Sequence, residues 1–374
     1  MLTEHQTGFK IPERPDVPPD IHRAILIELV SAQHAELTRI EEQARKIEAI
    51  TKECREGIQS LVGSENYERL RRYVDVEKQD WAAQLFPPRG PEMSTDDLGR
   101  LRRERREKSL GYLQELGVEG DDLRRLSRQA IERLRAFDPP RPTRDGKPVE
   151  VILPSGVPED IRTHKTNPWT VVGPPYGWSW WYNGYNAGFS FIPTLHLNAD
   201  VGFAGNNNRL DDSDASDNDI GYMEYSTAVS FWYQMPTPGL VEVWIEARSE
   251  WGHHHASLFD EFGWSDSLVN QHDYLTLKAT VGGSASELQR AEMSWFQEDG
   301  NTEGYWDNHY LTDGATYWAN IVSDPNIIIP AGSWVLVEVG VLNWNSTYAN
   351  DVAVYSTLDF AWNIKHVSVH STGG

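Results

Sequence analysis

Three clusters in this chain combine residue types and spacings suited to chemistry. The first is the run 167–191, which gathers Trp178, Trp180, Trp181, Tyr182 and Tyr185 around Asn183, with no Asp, Glu, Lys or Arg between Lys165 and Asp200. Indole and phenol faces stack on the apolar faces of sugar rings, and an amide can bond their hydroxyls. The same rings would equally fill a core or seal a contact between protein surfaces. The second cluster is Asp212, Asp214, Asp217 and Asp219, with Asn206 to Asn208 upstream. Calcium takes six to eight hard oxygens, which such a loop offers. The spacing departs from the EF-hand loop, lacking its sixth-position glycine and twelfth-position glutamate, so a Ca²⁺ site and a solvated loop both fit. The third is His253-His254-His255, followed by Asp260, Glu261, His272 and Asp273. On a strand His253 and His255 share one side, which suits a transition metal. Loop histidines without metal are the alternative.

Together with Pro330-x-Gly332, the His253-x-His255 pair resembles fragments of the cupin family. The resemblance implies a jelly roll holding a metal on an HxH pair and a later carboxylate, and with it a metal-dependent oxygenase. The second cupin motif expects a histidine three residues after its glycine. Val335 stands there, and Glu261 lies too far from His255, so that ligand set is not carried over. No GxSxG, HExxH or P-loop occurs, nor a GxGxxG between a strand and a helix. Glycosidase carboxylates meet only in the fold and cannot be picked from this many acids.

Two unlike halves must position these clusters. Residues 1–19 read as a Pro-rich extended arm. Residues 20–138 read as helices. From Leu26 a 4-3 spacing runs through Val30, Gln33, Leu37, Ile40, Ala44, Ile47, Thr51, Cys54, Ile58 and Leu61, the seam of an amphipathic or coiled-coil helix with Cys54 as a small core residue. Gly63 ends it, Ser64 opens a second helix, Ser94 a third, and Asp121–Asp122 a fourth. Residues 139–158 read as a Pro-rich linker. Residues 159–374 alternate with period two: Val229, Phe231, Tyr233 and Met235 on one face; Val241, Val243, Ile245 and Ala247 against Glu242, Trp244, Glu246 and Arg248; Val335 to Val341. A parity switch near Lys365–His366 implies a bulge. The expected class is α+β and multidomain: a helical bundle or coiled-coil hairpins, then an antiparallel, jelly-roll-like β-sandwich.

Charge divides at the same place. Of 34 Lys+Arg and 56 Asp+Glu, only 8 bases but 28 acids follow residue 145, so that half carries most of the net −22. Such a body repels nucleic acid and anionic lipid and suits neutral polymers, cations or basic partners. One cysteine excludes an internal disulfide. The first residues show neither a secretory signal nor a run able to span a bilayer. These features favour a non-enzymatic structural or adhesive subunit, homo-oligomeric, whose helices assemble or anchor while the sandwich displays a surface for a carbohydrate or protein ligand. Two alternatives stand beside it: an enzyme on the sandwich, as glycan hydrolase or lyase or cupin-like oxygenase, and an effector or toxin carried by a secretion machine.

Overall fold

The computed structural model describes residues 16–85, 95–137, 143–144, 147–148, 169–176, 178–185, 190–191, 194–211, 219–259, 267–286, 288–300, 304–309, 314–349 and 353–372. Helices come first: α1 (Pro19–Val62), α2 (Ser64–Leu85), α3 (Thr95–Glu115) and α4 (Gly120–Arg135). Strands follow: β1 (Thr143–Arg144), β2 (Lys147–Pro148), β3 (Thr170–Val172), β4 (Trp178–Tyr185), β5 (Ser190–Phe191), β6 (Thr194–Asn198), β7 (Phe203–Asp211) and β8 (Asp219–Gln234). The rest are β9 (Leu240–Phe259), β10 (Ser267–Val281), β11 (Ser284–Ala285), β12 (Gln289–Gly300), β13 (Gly304–His309), β14 (Thr316–Val322), β15 (Trp334–Ala349) and β16 (Ala353–Thr372).

Local sequence sets the helix ends. Pro18 precedes α1 and Pro19 occupies its first position, where a missing N–H costs nothing. Asp20 follows it, inside the first turn, where its charge faces the helix dipole. Gly63 stops α1 at φ 80°, a backbone state that suits glycine. Asp121 and Asp122 fall in the first turn of α4 and Arg133 and Arg135 in its last, both favourable to the dipole. No described helix is long and apolar enough to cross a membrane.

β1 and β2 pair as a two-stranded ribbon, and the other strands form two antiparallel sheets facing each other. The six-stranded sheet runs β11-β10-β15-β8-β4, with β12 also on β10. The eight-stranded sheet runs β13-β9-β16-β7-β5, with β14 on β9, β3 on β16 and β6 on β7. The core between them takes Val229, Phe231, Tyr233 and Met235 from β8, Val241 to Ala247 at odd positions from β9, and Val335 to Val341 at odd positions from β15. The alternation in the sequence therefore identifies the inward faces. The expected switch on β16 is a register shift between Ile364 and His366, and a second shift falls between Ala361 and Trp362.

The six-stranded sheet is buried on both faces. Its second face carries Trp232, Leu336, Leu342, Trp344, Tyr348, Leu268 and Tyr274, and α1 lies on it. Ile25 and Leu29 pack on Trp232 and Leu336. Ile47, Ile50, Cys54 and Ile58 pack with Leu123 and Ile131 of α4 against Trp344 and Tyr348, and Cys54 Sγ stands 3.3 Å from the Tyr348 hydroxyl. From Ile25 to Cys54 a helix rises ~44 Å at ~1.5 Å per residue. From Leu336 to Tyr348 a strand covers ~40 Å at ~3.3 Å per residue. The helix therefore follows β15 along nearly its whole length. Midway, Arg39 Nη2 donates to Glu224 Oε2 at 2.8 Å, neutralising a carboxylate that is 2 % exposed.

Trp232 and Trp344 are buried beneath helices, and Trp244, on the face of β9 that also carries Glu242, Glu246 and Arg248, is buried too. The docking corrects one expectation. The seam holds from Ile47 to Ile58 but at neither end: Leu26, Val30 and Leu61 are exposed, while Ile25, Leu29 and Val62 are buried. Ile25, Ile47 and Ile58 are separated by multiples of eleven residues, a repeat nearer the ~3.6-residue turn of a straight helix than the ~3.5 of a left-handed supercoil. Leu29→Ala is accordingly expected to cost about 2–5 kcal/mol in urea unfolding. Leu26→Ala should stay within about 0.5 kcal/mol. The reverse order would show that α1 docks in the other phase.

Candidate functional site

The two ends of the sandwich differ in kind. At one end the chain turns tightly at Pro236–Gly239, at Gly282–Gly283 and at Pro330–Gly332, where Gly332 sits at φ 77°. Aliphatic side chains fill the space between the sheets there. At the other end lie the strand termini Asp211, Asp219, Phe259, Ser267, Gly300, Gly304, Ala349 and Ala353. Toward that end the inward residues become polar: Thr227, Gln271, Asp273, Asn343, Asn345, Thr347 and His254 are all fully buried.

His254 is the centre of that interior. Its Nδ1 lies 2.8 Å from Gln271 Oε1, and Gln271 Nε2 donates to the His255 carbonyl at 3.3 Å. That second bond fixes the amide, so the imidazole Nδ1–H is the donor. Asn343 Nδ2 donates to Asp273 Oδ1 at 2.7 Å. Asp273 Oδ2 is 3.9 Å from His254 Nε2, beyond hydrogen-bond reach, and burial wins: the ring is pushed down to about 3 and stays neutral. Burial likewise pushes the Tyr225 phenol up to about 12, keeping it a hydrogen-bond donor. Without solvent access this network is a rigid support, and what it supports is the strand segment carrying His253 and His255.

Those two histidines face outward, and a β-bulge puts them there. From Val241 to Ser249 the odd residues of β9 point inward. Against β16, Ser249 pairs with Trp362 and Trp251 with Ala361, leaving Glu250 as an extra residue. Beyond it the parity inverts: Gly252, His254 and Ala256 are buried, while Trp251, His253 and His255 are half-buried. Directly paired residues of an antiparallel ladder share a face, ~4.5–5.5 Å apart, and the next such row lies ~7 Å along. One row on this outer face reads His309, His253, Asp359, Asn207, Thr194 across β13, β9, β16, β7 and β6. The next reads Asp307, His255, Thr357, Arg209. Phe203 meets Trp251 edge-on at the border, ring centres 5.8 Å apart. Further along the same face His366 Nδ1 pairs with Glu246 at 3.2 Å, and Trp169 lies against His370.

The residues singled out from the sequence are distributed as follows. His253 and His255 do share a face. His272 lies on the other sheet, 2.9 Å from Glu292, and Asp273 points inward. Register divides the aromatic run. Trp178, Trp180 and Tyr182 pair with Ser230, Ala228 and Ser226 on the α1 face, while Trp181, Asn183 and Tyr185 pair with Thr227, Tyr225 and Met223 on the inter-sheet face. Asp212, Asp214 and Asp217 lie outside the described residues, as do Asp260, Glu261 and Trp264; Asp219 opens β8 opposite Ala349. Sequence reasoning passed over Asp307, His309, Asp359 and the buried partner set of His254. Strand alternation alone would have placed His254 opposite its neighbours. Among the described residues no group of three or more His, Cys, Asp or Glu side chains is arranged to hold a metal ion. A separate cleft of about 330 Å³ opens between α1 and α4, lined by Ile50, Cys54, Leu126 and the Glu53–Arg133 ion pair.

No family model matches the chain, and no curated protein matches it. Among solved structures, TmCBM61 in complex with β-1,4-galactotriose is similar at 12 % identity over 46 % of this chain and 86 % of that one, with a TM-score of 0.14. A family 11 carbohydrate-binding module from Clostridium thermocellum, in complex with a β-1,3-1,4-mixed-linked tetrasaccharide, is 10 % identical over 50 % of this chain and 89 % of its own, with a TM-score of 0.13. Superpositions this poor carry no argument about this chain.

The buried imidazole has a measurable consequence. Above pH 6.5 His254 is neutral whether the chain is folded or not. Below that value the unfolded chain takes up a proton that the folded one refuses until about pH 3, so stability falls with falling pH. The slope reaches up to ~1.4 kcal/mol per pH unit. Urea unfolding of wild type and His254→Gln between pH 7 and pH 4 is expected to give a flatter curve for the variant. Parallel curves would show that this ring does not set the dependence.

Proposed function

We propose that the chain is a non-enzymatic display subunit that binds a neutral glycan on the outer face of the eight-stranded sheet. A single observation carries this reading. That face sets Trp251 and Phe203 at the border of a polar field that includes His253, His255, Asn207, Arg209 and Asp359, all on neighbouring strands. Rings at a border offer a stacking surface for a sugar, and polar residue types beside them offer donors and acceptors to its hydroxyls. The acidic second half disfavours anionic polymers and leaves neutral ones as the matching class. A rigid interior beneath the strands suits a preformed site.

In this proposal the helical residues 20–138 assemble the particle and residues 159–374, a jelly-roll-like sandwich, present the binding face. Leu26, Ile27 and Val30 form an outward apolar strip on α1, and we assign it to a second copy of the chain. Light scattering of the purified chain at micromolar concentration is expected to give a mass above one chain. Ile27→Asp should bring it down to one. A monomer at the outset removes the assembly half of the proposal.

Electrophoresis through gels containing neutral polysaccharides tests the binding half. Retardation by at least one of them is expected, weakened tenfold or more by Trp251→Ala and untouched by Trp180→Ala. Loss with Trp180→Ala alone would move the site to β4. No retardation on any neutral glycan, or release of oligosaccharides during incubation, would overturn non-enzymatic glycan binding.

A further inference from the structure

Phe203 belongs to a further row of the outer face, on the tight-turn side of Glu250. Arg248 of β9 pairs with Asn363 of β16, Asn363 with Phe203 of β7, and Phe203 with Asn198 of β6. Trp362 and Ile364, on either side of Asn363, point into the core, so this row points outward. Arg248 and Asn198 are exposed, Asn363 and Phe203 half-buried. The row therefore offers a guanidinium, an amide, a phenyl ring and a second amide on four neighbouring strands, ~4.8 Å from one to the next. The adjoining row is of another kind. Trp251 pairs with Ala361 and Ala361 with Gly205, both buried. A methyl group and a hydrogen atom do not obstruct what lies on Asn363 and Phe203.

We propose that the glycan is a linear, neutral chain lying along this row, across β9, β16, β7 and β6, with Arg248 bonding two adjacent hydroxyls at one end. The inference rests on the glycan-binding reading above and specifies the class of glycan. Three strand gaps of ~4.8 Å, about one sugar ring per gap, give a contact of about three units. Arg248 is held ready for its part. Its side chain lies against Gly314, where a Cβ would come 3.3 Å from Nη2 and 3.6 Å from Nε. Gly314 takes φ 75° and donates its N–H to the Ser249 carbonyl at 2.7 Å, while the Ser249 N–H donates to the Ala315 carbonyl at 2.8 Å. The turn beneath the guanidinium is thus tied to the strand that carries it, which lowers the ordering cost of binding. Among the described residues its ion-pair partner is Glu250, whose Oε1 stands 3.9 Å from Nε, beyond hydrogen-bond reach. The planar fork keeps donors for a ligand, and the nearby carboxylate offsets its charge, which suits hydroxyls over an acidic sugar. At the far end Asn198 Oδ1 accepts the Asp200 N–H at 3.0 Å, which turns the amide and leaves its NH₂ to donate.

The test uses the full chain and calorimetric titration with cello-, manno-, xylo- and laminari-oligosaccharides of one to six units, with oligogalacturonates as the acidic control. At least one neutral series is expected to bind, its affinity rising tenfold or more from one unit to three and then levelling. Arg248→Ala should lower the affinity for the trimer tenfold or more, with circular dichroism unchanged. His366→Ala, on the same face but outside the row, should leave it intact. Affinity independent of length, an unaffected Arg248→Ala, or tighter binding of oligogalacturonates than of every neutral series overturns this inference. So does retardation by a polysaccharide in gels when none of the linear oligomers binds, a result that spares glycan binding itself. If no polysaccharide retards the chain, both readings fall together.

Discussion

A sheet that buries large apolar side chains on both faces cannot stand in water, and this constraint organises the whole chain. The inward face of the six-stranded sheet is covered by its partner sheet. Its other face, with Trp232, Leu336, Trp344 and Tyr348, has to be covered by something else, and the described chain supplies α1 and α4. Burying large side chains contributes about 1.5–3 kcal/mol each, enough to make the helices and this sheet depend on one another for stability. The Arg39–Glu224 pair fits the same logic. A carboxylate at the middle of a covered face is tolerable only with a fixed cation beside it, and Arg39 arrives from the covering helix. The helix thus lies in a defined orientation along β15 and does more than shield the sheet.

With one sheet held between helix and partner, the other is left to present chemistry. The interior changes character along its length, from valines at the tight-turn end to amides, Asp273 and His254 at the other. Buried polar networks are costly when incomplete and stiff when satisfied. This one lies directly behind the outward residues of β9, where His254 is tied to Gln271, Gln271 to the His255 carbonyl, and Asn343 to Asp273. A purely aliphatic backing would tolerate sliding.

Much of this was legible in the sequence, and the gaps have physical reasons. Period-two alternation in Val229–Met235 and Val335–Val341 marks inward faces because one side of each strand is strictly apolar. The switch near Lys365–His366 was visible because bulges leave a phase error. Helix boundaries followed from Pro18–Pro19, Gly63 and Asp121–Asp122. The phase of α1 at its start was not legible: Ile25, Leu26, Leu29 and Val30 are all aliphatic, and seven- and eleven-residue periods separate only over many turns. Nor could the covering of Trp232 and Trp344 be seen, since outward parity says nothing of what lies above it. The juxtaposition of His253 with His309 and Asp359 depends on strand pairing across about half the sandwich, which no local pattern encodes. The aromatic run was prominent through composition, yet register divides its residues between two faces.

The extra residue at Glu250 separates two runs of β9 whose faces already agree with β16 on either side of it. Ser249 points inward and Trp251 outward opposite consecutive residues of the partner strand, so loss of the residue between them would restore regular alternation and leave His253 and His255 outside. The strand can therefore shorten by one residue here without exchanging surface for interior. In descent, length at this position is free to vary while the composition of both faces is kept.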